Sequence, residues 1–467
     1  MTGRKDRIKL NSGVRMAATL VVLTAAVFAN ALAGEFQFDD YRDIVDNRMA
    51  AFDGLLAAPH HTVRPLLKLS YAVNGALAGM DPTAFHAVNV ALHLVSVVLV
   101  FLLLRRAAGL LRMDEPAALR LAAAGTALWA VHPALTETVT YVSGRSSGLS
   151  SLLLLAALLL ATGDPGDRPR WRALAAGLCA VLAPLARETA LILPALLLWW
   201  QVNLLPHESW RDMVRRQAPT VTGTVIAATL ILSMPHHAEL ISFSLRNRPL
   251  ADTLRGNLYA GPEILFYLLR PWAVSIDPAA PRSHQWSDAA TILRLAGLAG
   301  IILFAVLARR RIPLVAFAIG WTLLCLVPTN SVIWRNDPVG LKPLYLAAIG
   351  PAVLTAWIAE MLYLRPRNAN LPLGVACVAV LFIALATMTI ERNGLFASDV
   401  ALWEDGVAKA PAKGRPHLNL GLAYLSAGRG DEARSQIREA LRLAPWLEGS
   451  RPELRALLDE ERDDGGG

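Results

Sequence analysis

Eleven apolar runs dominate this chain and limit what it can fold into. They fall at residues 16–33, 86–104, 121–142, 146–162, 173–186, 189–203, 217–235, 289–308, 312–328, 344–363 and 371–390. Inside hydrocarbon every backbone N–H and C=O must find a partner within the protein, so only helices or closed barrels cross a bilayer. Runs of this length with few charges read as helices. The expected fold is therefore all-α, a polytopic helical membrane protein. Composition agrees, since 54% of the 467 residues are hydrophobic and only 18% are charged. A soluble domain carries about a quarter charged residues, so lipid is the solvent for much of this chain. Cys179, Cys325 and Cys377 lie in apolar runs without paired spacing, which indicates neither a zinc site nor a disulfide framework.

The formal net charge of +8 is explained by its distribution. If the N-terminal "MTGRKDRIKLNSGVR" is cytoplasmic, alternate loops should be basic. They are: "RRAAGLLRMDEPAALR", "GDPGDRPRWR", "WRDMVRRQ", Arg309 to Arg311 and "LRPRN". This is the positive-inside bias, so the surplus is an orientation signal and nucleic-acid binding is not indicated. The loop from Gly34 to Phe85 carries seven acids against four bases and is expected to face outward. An odd number of crossings then puts the C-terminus outside. The first run also ends in "ALAG" after a basic segment, which is compatible with a signal-peptide cleavage site. The two short runs joined by "LARET" admit a broken or re-entrant pair. Between Pro235 and Asp288, "GNLYAGPEILFYLLRPWAV" reads as a helix along the membrane surface or as part of a hairpin entering it.

Three regions follow. Residues 1–390 form the membrane domain, with 34–85 as its first outer loop. Residues 391–450 are expected to form an extracytoplasmic tetratricopeptide-repeat module, because "HLNLGLAYLSAGRGDEARSQIREALRLAP" places Leu420, Gly421, Tyr424, Ala433, Ala440 and Pro445 at helix-turn-helix intervals. "SDVALWEDGVAKAP" reads as the second helix of a preceding repeat. So short an array needs support from the membrane domain or a partner. The acidic end, 451–467, reads as a disordered tail.

Polar motifs concentrate at the outward ends of the runs: "FDDYRD", "VRPLLKLSYAVNGAL", "HPALTETVTYVSGRSS", "LARETA" and "TNSVIWRNDPVGLKPLYL". Asp39 and Asp40 stand where the first run stops, so at least one can stay ionised and serve as general base toward an acceptor hydroxyl. Paired acids also suit a divalent metal, although nothing in the sequence demands one. Arg64, His132, Arg145, Arg187 and Lys342 supply cations at the same face, as a phosphate on a long lipid tail would require.

Structural readings compete with each of these. Charges at helix ends are commonly interfacial, and His132 before Pro133 can cap a helix. Gly144 and Gly148, with the serines around them, can form a close-packing face. His86, Asn89 and His93 share a helix face and favour interhelical hydrogen bonds over ligation. The doublets His60-His61 and His236-His237 lack a carboxylate at fixed spacing, and Glu188 beside Arg187 can be an internal ion pair.

The ordered set "FDDYRDIVDN", "RPLLKLSYAVNGALAGMDPTAFHAVNVALHL", "HPALTETVTYVSGRSSGLSSLLLLAALLL", "LARETALILPALLL", "LVPTN…YLAAIG" and "ALWEDGVAKAP…LNLGLAYLSAGRGDEA" resembles bacterial relatives of the transmembrane and tetratricopeptide-repeat O-mannosyltransferases. These are glycosyltransferases of the GT-C architecture. The resemblance implies a polyprenyl-phosphate-linked sugar donor, transfer to a protein or glycan hydroxyl outside the cytoplasm of a bacterial inner membrane, and inversion at the sugar. It places the base at Asp39 or Asp40 and maps further motif positions to His132, Glu137, Arg145, Arg187 and Glu188. Two departures stand out. Leu341-Lys342-Pro343 occupies the position where relatives often carry an acid-arginine pair, and the repeat array is short. A noncatalytic scaffold recruiting envelope proteins through the repeats is the alternative. A transporter fits less well, because the charges gather at one face and not at the midplane.

Overall fold

The computed structural model describes residues 2–57, 62–163, 169–205, 209–281, 285–330, 337–364 and 371–450. The His60-His61 doublet and the acidic tail lie outside the described residues. Those residues form helices and turns with no strand. Six helices are long and apolar enough to cross a bilayer: Ser12–Ala33, Pro82–Leu110, Val142–Ala161, Ala289–Ala308, Leu344–Leu362 and Leu373–Leu395. Glu188–Leu204 and Pro313–Leu326 are shorter apolar helices. The remaining three runs lie in helices that are shorter or more charged.

Local chemistry explains the boundaries. Asp81 and Asp114 cap Pro82–Leu110 and Glu115–Ala130 by accepting the N–H groups of Thr83 and Ala117, with proline in the first turn of each. The run at 121–142 breaks after Ala130. His132 is extended before Pro133, as a pre-proline residue prefers, and short turns carry the chain to Tyr141. A second break follows Pro184: helix Arg170–Ala186 ends, Arg187 is extended, and a tight turn at Glu188–Ile192 leads into Leu193–Leu204. The "LARET" junction is thus a corner between two helices.

One large core joins the helices through Phe101, Leu104, Trp129, Leu158, Trp200, Phe317, Trp321 and Ile349. A Cβ on Gly223 would lie 2.4 Å from the Gly177 carbonyl oxygen, so only glycine lets those backbones meet. Ala289–Ala308 has only Thr291, Ala305 and Ala308 buried, which leaves its apolar surface for lipid.

The C-terminal helices Asp399–Lys409, Gly414–Ser426 and Gly430–Leu443 pack on one another through Trp403, Leu420, Tyr424, Ala433 and Ile437. They also touch the membrane helices' loops. Lys413 and Arg415 both pair with Asp277 and Asp337, and Lys409 Nζ donates to the Val274 carbonyl at 2.8 Å.

Candidate functional site

The loop after the first span is strapped to the end of the last one. Glu35 N–H and Gln37 Nε2 both donate to the Phe396 carbonyl, at 3.0 and 3.1 Å. Phe38 takes a left-handed backbone, φ 44°, which turns the chain and sets its ring edge-on to Trp403 at 5.3 Å between centroids. The two acids that follow then part company.

Asp40 is fully buried. One carboxylate oxygen accepts the backbone N–H of Ser143 at 2.7 Å and its hydroxyl; the other accepts Gln37 N–H at 3.0 Å. Burial pushes its carboxyl up to about 7, against the pull of those hydrogen bonds. Asp39 keeps 28% of its side chain exposed and pairs with exposed Arg42 at 3.1 Å. Its backbone N–H donates to the Tyr141 hydroxyl at 2.9 Å.

The face of the Tyr141 ring carries a cation, Lys342 Nζ, 4.7 Å from the centroid. Among the described residues no carboxylate lies within ion-pair distance of Lys342. Burial and neighbouring Arg187 push its ammonium pKa down. Lys342 and Arg187 line one cleft with Ser147, Ser150, Thr189 and Thr329, against an apolar wall of Ile192, Cys325 and Leu346. Arg187 donates to the Ser146 hydroxyl at 2.9 Å. Two cations among hydroxyls beside hydrocarbon can hold an anion on a lipid tail.

The other cations and acids singled out from the sequence are held elsewhere. Arg145 is fully buried, donating to Asn89, Asn74, Ser70 and Phe85 and stacking its guanidinium over Tyr71 and Phe85. Arg64 forks onto Glu188 with bonds of 3.1 Å, and His237 Nε2 approaches the same carboxylate at 3.3 Å. Arg64 itself is left-handed, φ 59°. His132 Nδ1 accepts Ala134 N–H while Nε2 reaches the Leu268 carbonyl, which fixes it as a cap. Glu137 faces Arg392 at 3.5 Å, and Arg392 also reaches Asp405.

On the helix Pro82–Leu110, Asn89 bonds the Tyr141 and Val142 carbonyls, and His93 bonds Tyr345 and the Ala130 carbonyl. These are interhelical hydrogen bonds, whereas the buried ring nitrogens of His86 on the same face have no hydrogen-bond partner among the described residues. Gly144 packs against Glu137 and Thr138, where a Cβ would lie 2.4 Å from the Glu137 carbonyl oxygen. No group of three His, Cys, Asp or Glu that could hold a metal occurs among the described residues. Tyr141, Ser143 and Arg392 were not marked by the sequence, although Tyr141 lies inside "TETVTYVSGRSS".

The fold and its charged, partly buried cleft define a multi-pass helical membrane protein. No family model and no solved structure matches the chain. It is similar over most of its length to proteins named protein O-mannosyl-transferases. It is 22% identical to F38B6.6 of Caenorhabditis elegans over 94% of this chain and 64% of the relative. It is 26% identical to Tmtc3 of Drosophila melanogaster over 82% and 48%, and 24% identical to human TMTC1 over 92% and 55%. The chain thus spans about half to two thirds of the length of these curated relatives.

Proposed function

We propose that this protein is a membrane glycosyltransferase of the GT-C architecture. It takes a sugar, mannose by the names of its relatives, from a polyprenyl-phosphate donor and passes it to a hydroxyl of a protein acceptor. The observation that carries this reading is the junction at Tyr141: the backbone of Asp39, whose carboxylate is partly exposed, and Lys342, which has no ion-pair partner among the described residues, both contact this one side chain beside a cleft with an apolar wall.

In this reading Asp39 is the general base and Asp40 holds the loop. Asp39 takes the proton of the acceptor hydroxyl as its oxygen attacks the anomeric carbon. The bond from that carbon to the phosphate oxygen breaks with inversion, and the polyprenyl phosphate leaves with the electron pair. Lys342 and Arg187 stabilise the departing charge, while Ile192 and Leu346 face the lipid tail. Arg145, Arg64, Glu188, Glu137 and His132 act as positioning residues. A divalent metal is not required by these steps.

The same reading has the basic loops and N-terminus in the cytoplasm of a bacterial cell and the Asp39 loop outside. The C-terminal helices then form an external tetratricopeptide-repeat module at residues 391–450, supported by the clamp on Asp277 and Asp337 and followed by the acidic tail 451–467. The test uses membranes containing the full chain and a polyprenyl-phosphate donor with labelled mannose. Asp39→Asn should abolish transfer while the protein stays folded. Full transfer by Asp39→Asn would remove the proposed base.

A further inference from the structure

Tyr141 is nearly fully buried, and each part of it is engaged differently. Its hydroxyl accepts the Asp39 N–H at 2.9 Å. Its ring face lies 4.7 Å from Lys342 Nζ. On its other contacts the ring meets Phe396 at 6.2 Å between centroids, within a small apolar cluster that includes Leu402. Its carbonyl accepts Asn89 Nδ2 at 3.2 Å, and Asn89 in turn accepts Arg145 Nε at 2.8 Å. The buried guanidinium therefore anchors the backbone from which the phenol projects.

We propose that Tyr141 is the positioning residue that sets the distance between base and phosphate-binding cation, fixing Asp39 through its hydroxyl and Lys342 through its ring. This rests on the assignment of Asp39 and Lys342 made above. The two functions separate chemically. Removing the hydroxyl frees the Asp39 backbone but leaves the ring for Lys342. Removing electron density from the ring weakens its hold on the ammonium, because the attraction comes from the ring quadrupole. The bonds from Ser143 and Gln37 hold the neighbouring Asp40, while Asp39 itself is reached by the Tyr141 hydroxyl at its N–H and, at its side chain, by exposed Arg42.

The experiment compares wild type, Tyr141→Phe and the same position carrying trifluorophenylalanine in membranes supplied with polyprenyl-phosphate-linked labelled mannose, with folding checked by a monodisperse detergent elution. Tyr141→Phe should lower kcat by about tenfold to a hundredfold, as expected for a misplaced catalytic group, and leave the apparent KM for the donor within about twofold. The fluorinated ring should add a rise in donor KM of about twofold to thirtyfold, the range of a cation–π contact. A Tyr141→Phe protein with wild-type kcat, or a fluorinated protein with unchanged donor KM, overturns the inference. Asp39→Asn and Lys342→Met are measured alongside. If both turn over normally, the assignment of the site has failed; if they are inactive while Tyr141→Phe is normal, only the role of Tyr141 has failed.

Discussion

Ser143 gives both its backbone N–H and its hydroxyl to one carboxylate oxygen of Asp40, the backbone bond at 2.7 Å. Two adjacent acids are thereby given different tasks. Asp40 becomes an internal acceptor tying the first loop to the start of Arg145–Ala161, and Asp39 is left toward water. Asp40→Ala strands these donors in a dry place, where an unmet buried donor costs roughly 1–3 kcal/mol. It should lower the melting temperature in detergent, whereas Asp39→Ala should not. Equal melting of the two variants would refute this division.

Asp40 also carries a pH dependence. Its folded carboxyl titrates near 7, well above the 3.8 of an exposed aspartate, because burial disfavours the anion. The native state therefore binds more protons than the unfolded chain between these values, and stability should rise as pH falls from about 8 toward 5. Asp40→Asn has no such proton to bind. Melting curves of wild type and Asp40→Asn across this range should diverge at low pH in favour of wild type. Parallel curves would show that Asp40 titrates normally.

In the proposed reading Lys342 exchanges stability for donor binding. A half-buried ammonium whose pKa is pushed down by burial, and which makes no direct ion pair among the described residues, is costly, so Lys342→Met should melt at a higher temperature than wild type. The same change should raise donor KM by about tenfold or more, the loss expected for a charge-assisted hydrogen bond to phosphate. Lower thermal stability together with unchanged KM would mean that the cation serves the fold.

The Arg64–Glu188 fork ties the first outer loop to the corner after Arg170–Ala186. Both side chains keep partial access to solvent, at 33% and 27%, so the pair is worth less than a fully buried one. A double-mutant cycle with alanine at both positions should give a coupling of about 1 kcal/mol, read from urea or thermal unfolding. His237 also reaches Glu188, so Glu188→Ala should cost more than Arg64→Ala.

The C-terminal helices hold the strand of chain leading to Lys342. Lys413 and Arg415 grip Asp337, five residues ahead of it, together with Asp277. Lys413→Ala with Arg415→Ala should therefore raise donor KM severalfold, about the effect of losing a partly exposed ion-pair network, while Trp403 and the module remain in place. Unchanged kinetics would limit the clamp to a structural role.

Helices were legible because apolar runs and proline punctuation are local. The corners at His132-Pro133 and "LARET" fall where extended pre-proline geometry and an internal proline predict breaks. Pairing was less legible. The sequence grouped Arg145 with the phosphate-binding cations, and nothing local shows that Asn89, Asn74 and two carbonyls would occupy its donors. Nothing local separates Asp39 from Asp40, since the difference is made by Ser143. Arg392 in "IERNGLF" reads as an ordinary interfacial charge, and its acid, Glu137, sits on a turn far earlier in the chain.

The strap between the first loop and the end of the last span also has a temporal meaning. Asn30 and Asn393 bond each other, Asn30 reaches the Ile390 carbonyl, and Glu35 and Gln37 end on Phe396. During synthesis Asp39 leaves the ribosome long before Asn393 and Phe396, which complete the hold on its loop. A nascent chain halted before Phe396 lacks these bonds, so the loop that carries Asp39 cannot be locked until the helix Leu373–Leu395 has been made.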